Sequence, residues 1–234
     1  TVTYLFEGAM MHRDSLGTVQ LIEPGAINWM TAGRGIVHSE RKPDHLRDRE
    51  FVQHGLQLWV GLPQEHEEAE PSFQHAPAGS IPQRTFGPAQ VRVLVGEAFG
   101  ERSPVQGTSP TLYLDVAIAD GGVMELPPLA PELALYPIAG DLRLDGASMP
   151  AHAMQVLAPW ERARIESGPG GRFVVIGGEA IGPRYMYWNF VSSRKERILQ
   201  ASDDWAAQRF PPVPGETEFI PLPPTRFTPP EPMS

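Results

Sequence analysis

Short runs of apolar, β-favouring residues recur between Pro and Gly turns, at residues 1–5, 19–22, 27–30, 56–60, 91–95, 112–119, 133–138, 154–157 and 173–176. That punctuation predicts an all-β chain of sandwich or barrel type. In 112–119 the side chains of Leu112, Leu114, Val116 and Ile118 fall on one face of a strand and Tyr113, Asp115 and Ala117 on the other, so one face meets a core. Leu56, Leu58 and Val60 repeat the pattern. A single segment has helical spacing. Ile198, Ala201 and Trp205 share a stripe, Ser193 and Glu196 stand three apart as a capping box, and Pro211-Pro212 stops the run after Phe210. Beyond it, residues 211–234 carry nine prolines, with Phe219, Ile220, Leu222 and Phe227 as anchors. This predicts an extended strap packed on the surface.

Tyr4-Leu5-Phe6-Glu7-Gly8 and Tyr136-Pro137-Ile138-Ala139-Gly140 share a Tyr-x-x-x-Gly frame, each followed by a Pro turn and another apolar run. With the β rhythm, this repeat predicts two similar barrels in tandem, joined in the loop-rich stretch 96–110. The expected division is a first barrel at 1–100, a second at 101–192, and the helix and strap at 193–234. One large irregular sandwich is the alternative.

The length of 234 residues suits one large domain or two small ones. A formal charge of −9 gives no basic face for a phosphate backbone, which argues against direct nucleic-acid binding. With no Cys, metal chemistry must use His and carboxylates. No apolar run approaches the ~18 residues of a membrane span, and the start has neither a signal peptide nor an initiator Met. The chain reads as soluble and cytoplasmic, with no membrane partner, and as clipped at its beginning.

The richest stretch for chemistry is Trp29-Met30-Thr31-Ala32-Gly33-Arg34-Gly35-Ile36-Val37-His38-Ser39-Glu40. On an extended strand His38 and Glu40 point the same way with Cα atoms ~6.5 Å apart, a spacing that lets both reach one metal. Imidazole plus carboxylate suits Fe, Mn, Ni or Zn. An isolated His-x-Glu is more often a pair of exposed polar residues at a strand end. His12 and Asp14 form a second such pair that could complete a shell, although Arg13, Asp14, Ser15 and Gly17 read more readily as a solvated hairpin. His45, His66, His75 and His152 read as surface residues. Gly33-Arg34-Gly35 lacks the Lys-Ser/Thr end of a phosphate loop, and its glycines are expected to shape a tight bend. No Gly-x-Ser-x-Gly elbow supports a serine hydrolase.

Taken together, 1–8, Met11 with His12 through Gly17, Pro24-Gly25, 29–40, 55–63, Glu70-Pro71, 112–116, 177–179, 188–193 and 219–223 resemble successive motifs of the pirin family within the cupin superfamily. The resemblance covers nearly the whole chain. It implies two tandem jelly-roll-like cupin barrels, the first holding one iron through three His and one Glu and the second without metal. His38 is then the third imidazole and Glu40 the carboxylate, with His12 and Asp14 as supporting residues behind them. The first two imidazoles belong to a His-Pro-His-Arg-Gly-Phe-Glu segment expected immediately upstream of Thr1. The cofactor implied is Fe(II), with Ni, Mn or Zn as other divalent choices. The family implies a quercetin 2,3-dioxygenase activity in which Glu40 is ligand and proton acceptor, a small aromatic flavonol and O2 are the substrates, and carbon monoxide leaves. It equally implies an iron-dependent regulator that binds a protein partner without turnover.

Overall fold

In a computed structural model the chain is described for residues 1–223 and, in backbone only, for 232–233. It forms two units, Thr1–Ala78 with Ile181–Ser234, and Gly79–Ala180. The first contains β1 (Val2–Glu7), β2 (Met10–Asp14), β3 (Val19–Ile22), β4 (Ile27–Thr31), β5 (His38–Arg41), β6 (His54–Leu58) and β7 (Ser72–Ala76). These make two antiparallel sheets, ordered β6-β1-β4-β7 and β3-β2-β5. The strand expected at 56–60 starts and stops two residues earlier, leaving Trp59 outside it and half exposed.

The second unit contains β8 (Gln83–Phe86), β9 (Ala89–Val95), β10 (Glu97–Ala98), β11 (Glu101–Arg102), β12 (Thr111–Ile118), β13 (Val123–Leu126), β14 (Glu132–Leu144), β15 (Ala147–Ser148), β16 (Gln155–Val156) and β17 (Ala163–Gly178). Its main sheet runs β15-β14-β17-β12-β9-β8. The long strands β14 and β17 each absorb one of the short runs read from the sequence. Leu112, Leu114, Val116 and Ile118 join Val91, Val93, Leu135, Phe173 and Val175 in an aliphatic core. The other face of β12 is partly closed too, because Arg172 Nε and Nη2 clamp the two oxygens of buried Asp115 at 2.8 and 2.6 Å.

The observed division differs from boundaries at 100/101 and 192/193. Residues 79–100 go with the second unit because β9 pairs along its length with β12, Val91 opposite Val116 and Val93 opposite Leu114. The chain returns to the first unit at Ile181, with β18 (Arg184–Tyr187), β19 (Phe190–Ser192), α1 (Lys195–Ala206) and β20 (Pro232–Met233), whose backbone pairs with β18. The Tyr-x-x-x-Gly frames are equivalent in detail. Gly8 and Gly140 have φ of +87° and +86°, next to a register shift in β1 and β14, and an added Cβ would lie 2.5 Å from the Val52 carbonyl oxygen or 2.2 Å from that of Gly170. Only glycine meets both demands cheaply.

Helix α1 starts without the expected capping box. Arg194 is the N-cap and contributes no side-chain bond, while Ser193 turns its backbone N and its Oγ to Glu67, at 2.9 and 3.0 Å. Glu67 also accepts Ser192 Oγ at 3.0 Å and has Arg184 Nε 2.8 Å from Oε1, an ionic contact whose angle falls short of a hydrogen bond. Arg184 in turn donates to the carbonyls of Ile181, Pro183 and Leu62. A buried pair that also closes a loop and a helix entry outweighs local capping. The helix ends before Phe210, because Gln208 takes φ +53° and donates to the Trp205 carbonyl. The strap runs without helix or strand through Pro223, broken by a turn at Pro214-Gly215; Phe227, its last expected anchor, lies outside the described residues. Among the described residues no helix is long and apolar enough to cross a membrane.

Removing one partner of a buried ion pair strands the other, so Arg184→Met should lower unfolding stability by about 3 kcal/mol. Adding Glu67→Gln should recover part of that loss. Urea unfolding of the two single variants and the double variant measures the coupling.

Candidate metal centre

Strands β2 and β5 pair antiparallel with His12 opposite Glu40 and Asp14 opposite His38. Directly opposed residues share a face, and so do residues two apart, so all four side chains point to the same side. The apolar end of that inner surface is Leu5, Met10, Ile22 and Ala26. The polar end continues from the opposite sheet, where Gln57, Thr3, Asn28 and His75 align across β6, β1, β4 and β7. His38 and Glu40 therefore face a polar barrel end.

The reading of His12 and Asp14 as a solvated hairpin is corrected: His12 is 2% exposed and Asp14 0%. The turn chemistry is real but inward. Asp14 Oδ1 accepts the backbone N–H of Leu16 at 2.9 Å and of Thr18 at 3.0 Å, while Oδ2 lies 3.1 Å from His12 Nε2. Burial pushes the Asp14 carboxyl up, and these hydrogen bonds, led by His12, more than reverse it and leave it below its ordinary value. The His12 ring stacks on Phe73 of β7 at 4.4 Å and on His38 at 5.8 Å between centroids. His12 and Asp14 hold each other and flank the pair beside them.

Glu40 is held from the opposite sheet. Gln57 Nε2 lies 2.8 Å from both Glu40 oxygens and 3.1 Å from Thr3 Oγ1. Gln57 itself is exposed, so solvent reaches the site from this side. Burial lowers the His38 pKa below its ordinary 6.5, opposed by Glu40 and reinforced by His12. At neutral pH His38 therefore presents the uncharged imidazole that a metal requires. His75, expected on the surface, is half-buried in β7 with Nδ1 2.7 Å from Asn28 Oδ1, and burial lowers its pKa as well.

His38 and Glu40 suit two positions of a metal shell. Among the described residues no three His, Asp or Glu side chains converge to hold an ion. The bend before β5 needs Gly33, with φ +50° and an added Cβ 2.0 Å from the Ala69 carbonyl oxygen. Sequence reasoning missed Gln57 entirely. Its one signal is position: it lies between Leu56 and Leu58, on the face that alternation assigns to the polar side.

The family model described as Pirin matches residues 1–60, and that described as Pirin C-terminal cupin domain matches 113–211. A Caulobacter vibrioides protein named pirin-like is 44% identical over 226 residues, covering 95% of this chain and 78% of that one. The crystal structure of a quercetin 2,3-dioxygenase from Acinetobacter baumannii superposes with a TM-score of 0.86 at 33% identity, covering 97% of this chain and 77% of that one. A bacterial pirin from Escherichia coli in complex with nickel(II) has a TM-score of 0.59 at 18% identity, covering 76% and 72% of the two chains, and shares the fold.

Asp14→Ala leaves three donors without their acceptor and should cost about 3 kcal/mol at pH 7. Because the native carboxyl titrates below its ordinary 3.8, its contribution is complete above that value and drains away as pH falls through the lower native one. The variant should therefore lose less stability than the parent on acidification below pH ~4, as denaturant unfolding across pH would measure.

Proposed function

The chain belongs to the pirin family of cupin proteins, and from that premise we propose that it is a metal-dependent dioxygenase of the quercetin 2,3-dioxygenase type. The observation that carries the proposal is the pair His38 and Glu40 on one strand face, one imidazole kept neutral by burial and one carboxylate steadied by Gln57. The 33% identity to a protein crystallised as quercetin 2,3-dioxygenase supports the substrate class, a flat polyhydroxylated aromatic cleaved with O2. The nickel(II) complex of a fold relative supports a divalent transition metal.

In this reading His38 and Glu40 supply two ligands to a mononuclear Fe(II), and two further imidazoles come from residues upstream of Thr1. When bound, the metal supplies an acidic contact for a substrate oxygen and a route for electrons to O2. Glu40 takes the proton of the substrate hydroxyl, and Gln57 fixes the direction in which its carboxylate points. Phe73 stacks on His12 and His12 on His38, so a row of flat rings flanks the His38 imidazole on one side. The polar end of the barrel, with Thr3 and Asn28 buried in the facing sheet, offers hydrogen-bonding groups to the hydroxyls of such a substrate.

The test compares residues 1–234 with a longer protein carrying the upstream His-x-His. Anaerobic Fe(II) titration should show weak binding by the first and much tighter binding by the second. With the longer, iron-loaded protein, flavonol-dependent oxygen uptake should fall by at least about 100-fold in Glu40→Gln while part of the iron remains, because an amide oxygen still ligates but accepts no proton. His38→Ala should lose iron and activity together. Iron retained with no flavonol cleavage by the parent would overturn the enzyme in favour of a metal-dependent binding protein.

A further inference from the structure

β5 carries both proposed ligands and, among the described residues, is the edge of the sheet β3-β2-β5, hydrogen-bonded along one side only, to β2. It is four residues long. A strand so placed has half the usual backbone restraint, yet its proposed role requires two side chains held in fixed positions.

The alternation that sends His38 and Glu40 inward sends Ser39 and Arg41 outward. There they meet the strap. Glu216 Oε1 accepts Ser39 Oγ at 2.9 Å and Arg41 Nε at 3.0 Å, and its Oε2 accepts Arg41 Nη2 at 2.7 Å. Arg41 Nη2 also donates to Glu218 at 2.8 Å. The clamp is better protected at Glu216, whose side chain is 17% exposed, than at Glu218, which is 60% exposed. Arg41 and Ser39 hold the Glu216 carboxyl below its usual range, and the charge of Arg13, opposite Ser39 on β2, adds to the effect. The strap is also fixed immediately beyond the clamp, where Trp205 Nε1 donates to the Ile220 carbonyl at 2.9 Å and the Trp205 ring stacks on Phe219 at 5.2 Å. Just before the clamp in the chain Val213 is buried, and the turn it opens is closed by the Glu216 N–H.

We propose that Glu216 is a positioning residue: its carboxylate holds β5 from the outer face, in place of a second strand, so that His38 and Glu40 are presented steadily on the inner face. The proposal rests on the reading of that pair as ligands only for its functional consequence. Exposed ion pairs contribute little to global stability. A clamp made of them therefore acts locally, on one strand, which distinguishes it from a fold-wide support.

The test is backbone amide hydrogen exchange in the metal-free 234-residue chain. In Glu216→Ala the β5 amides should exchange roughly tenfold faster, while those of β9 and β12 in the second unit stay unchanged. Raising salt to about 1 M should produce the same acceleration in the parent and little more in the variant, because the clamp is electrostatic. Unchanged β5 exchange in Glu216→Ala, or acceleration spread equally over both units, would overturn the proposal. In the longer protein with upstream His-x-His, Co(II) serves as a spectroscopic probe. A weaker affinity or altered visible band in Glu216→Ala supports transmission to the site, and identical spectra and affinities overturn it. If the parent itself takes up no Co(II), the ligand reading of His38 and Glu40 falls, while faster β5 exchange would still uphold the clamp.

Discussion

The register of β2 against β5 is the constraint on which the rest of the first barrel depends. With His12 opposite Glu40 and Asp14 opposite His38, four ionisable side chains share one face and Arg13, Ser39 and Arg41 share the other. A slip of one residue would exchange the sets, burying guanidinium groups and exposing the pair proposed to bind metal. Asp14 guards against this slip through its bonds to the Leu16 and Thr18 amides, which tie the end of β2 to its own turn. The inner stack of Phe73, His12 and His38 adds a packing reason for the same register.

The architecture and the shared facing of His38 and Glu40 were legible because each has a short period. His38 and Glu40 are two apart, and the alternation in 112–119 is the one the barrel core uses. What was not legible depends on partners distant in sequence. Arg13, Asp14, Ser15 and Gly17 do make a turn, but local chemistry does not say that its carboxylate faces inward under a histidine. Ser193 has the spacing of a capping residue, yet a glutamate 126 residues away offers a charged acceptor and takes it. Gln57 looked like the solvent side of a strand because in a barrel with a polar interior, polar-inward and polar-outward alternation are the same pattern. His75 was misjudged for a related reason: its neighbours suggest a loop, and only its pairing with Asn28 reveals the strand.

The two barrels use the same bend for different ends. Gly8 and Gly140 keep the same φ and the same close backbone approach. Around the second bend the interior is Leu, Val, Ile and Phe. Around the first, the described interior is apolar at one end only and polar at the other. A filled aliphatic interior contributes hydrophobic stabilisation directly, whereas a polar one must satisfy each donor and acceptor before it stabilises anything. The first unit accordingly relies on directed contacts such as Glu67 with Arg184 and Asp14 with His12, and the second on volume.

The first unit is interrupted by the second, since Gly79–Ala180 lies between its two segments. This gives the order of events during synthesis. Strands β1 to β7 leave the ribosome first, but Arg184, Ser193 and Glu216 follow more than 100 residues later, on the order of ten seconds at ordinary elongation rates. Closing an unstructured loop of that length costs about 4 kcal/mol beyond a constant, and prior folding of the intervening barrel lowers that cost by bringing the ends of its chain under control. The later barrel in sequence is thus the earlier one able to finish. Through the waiting interval the nascent first barrel has an open strand edge and an unpaired Glu67, which makes it the stage at which a chaperone would have most to recognise.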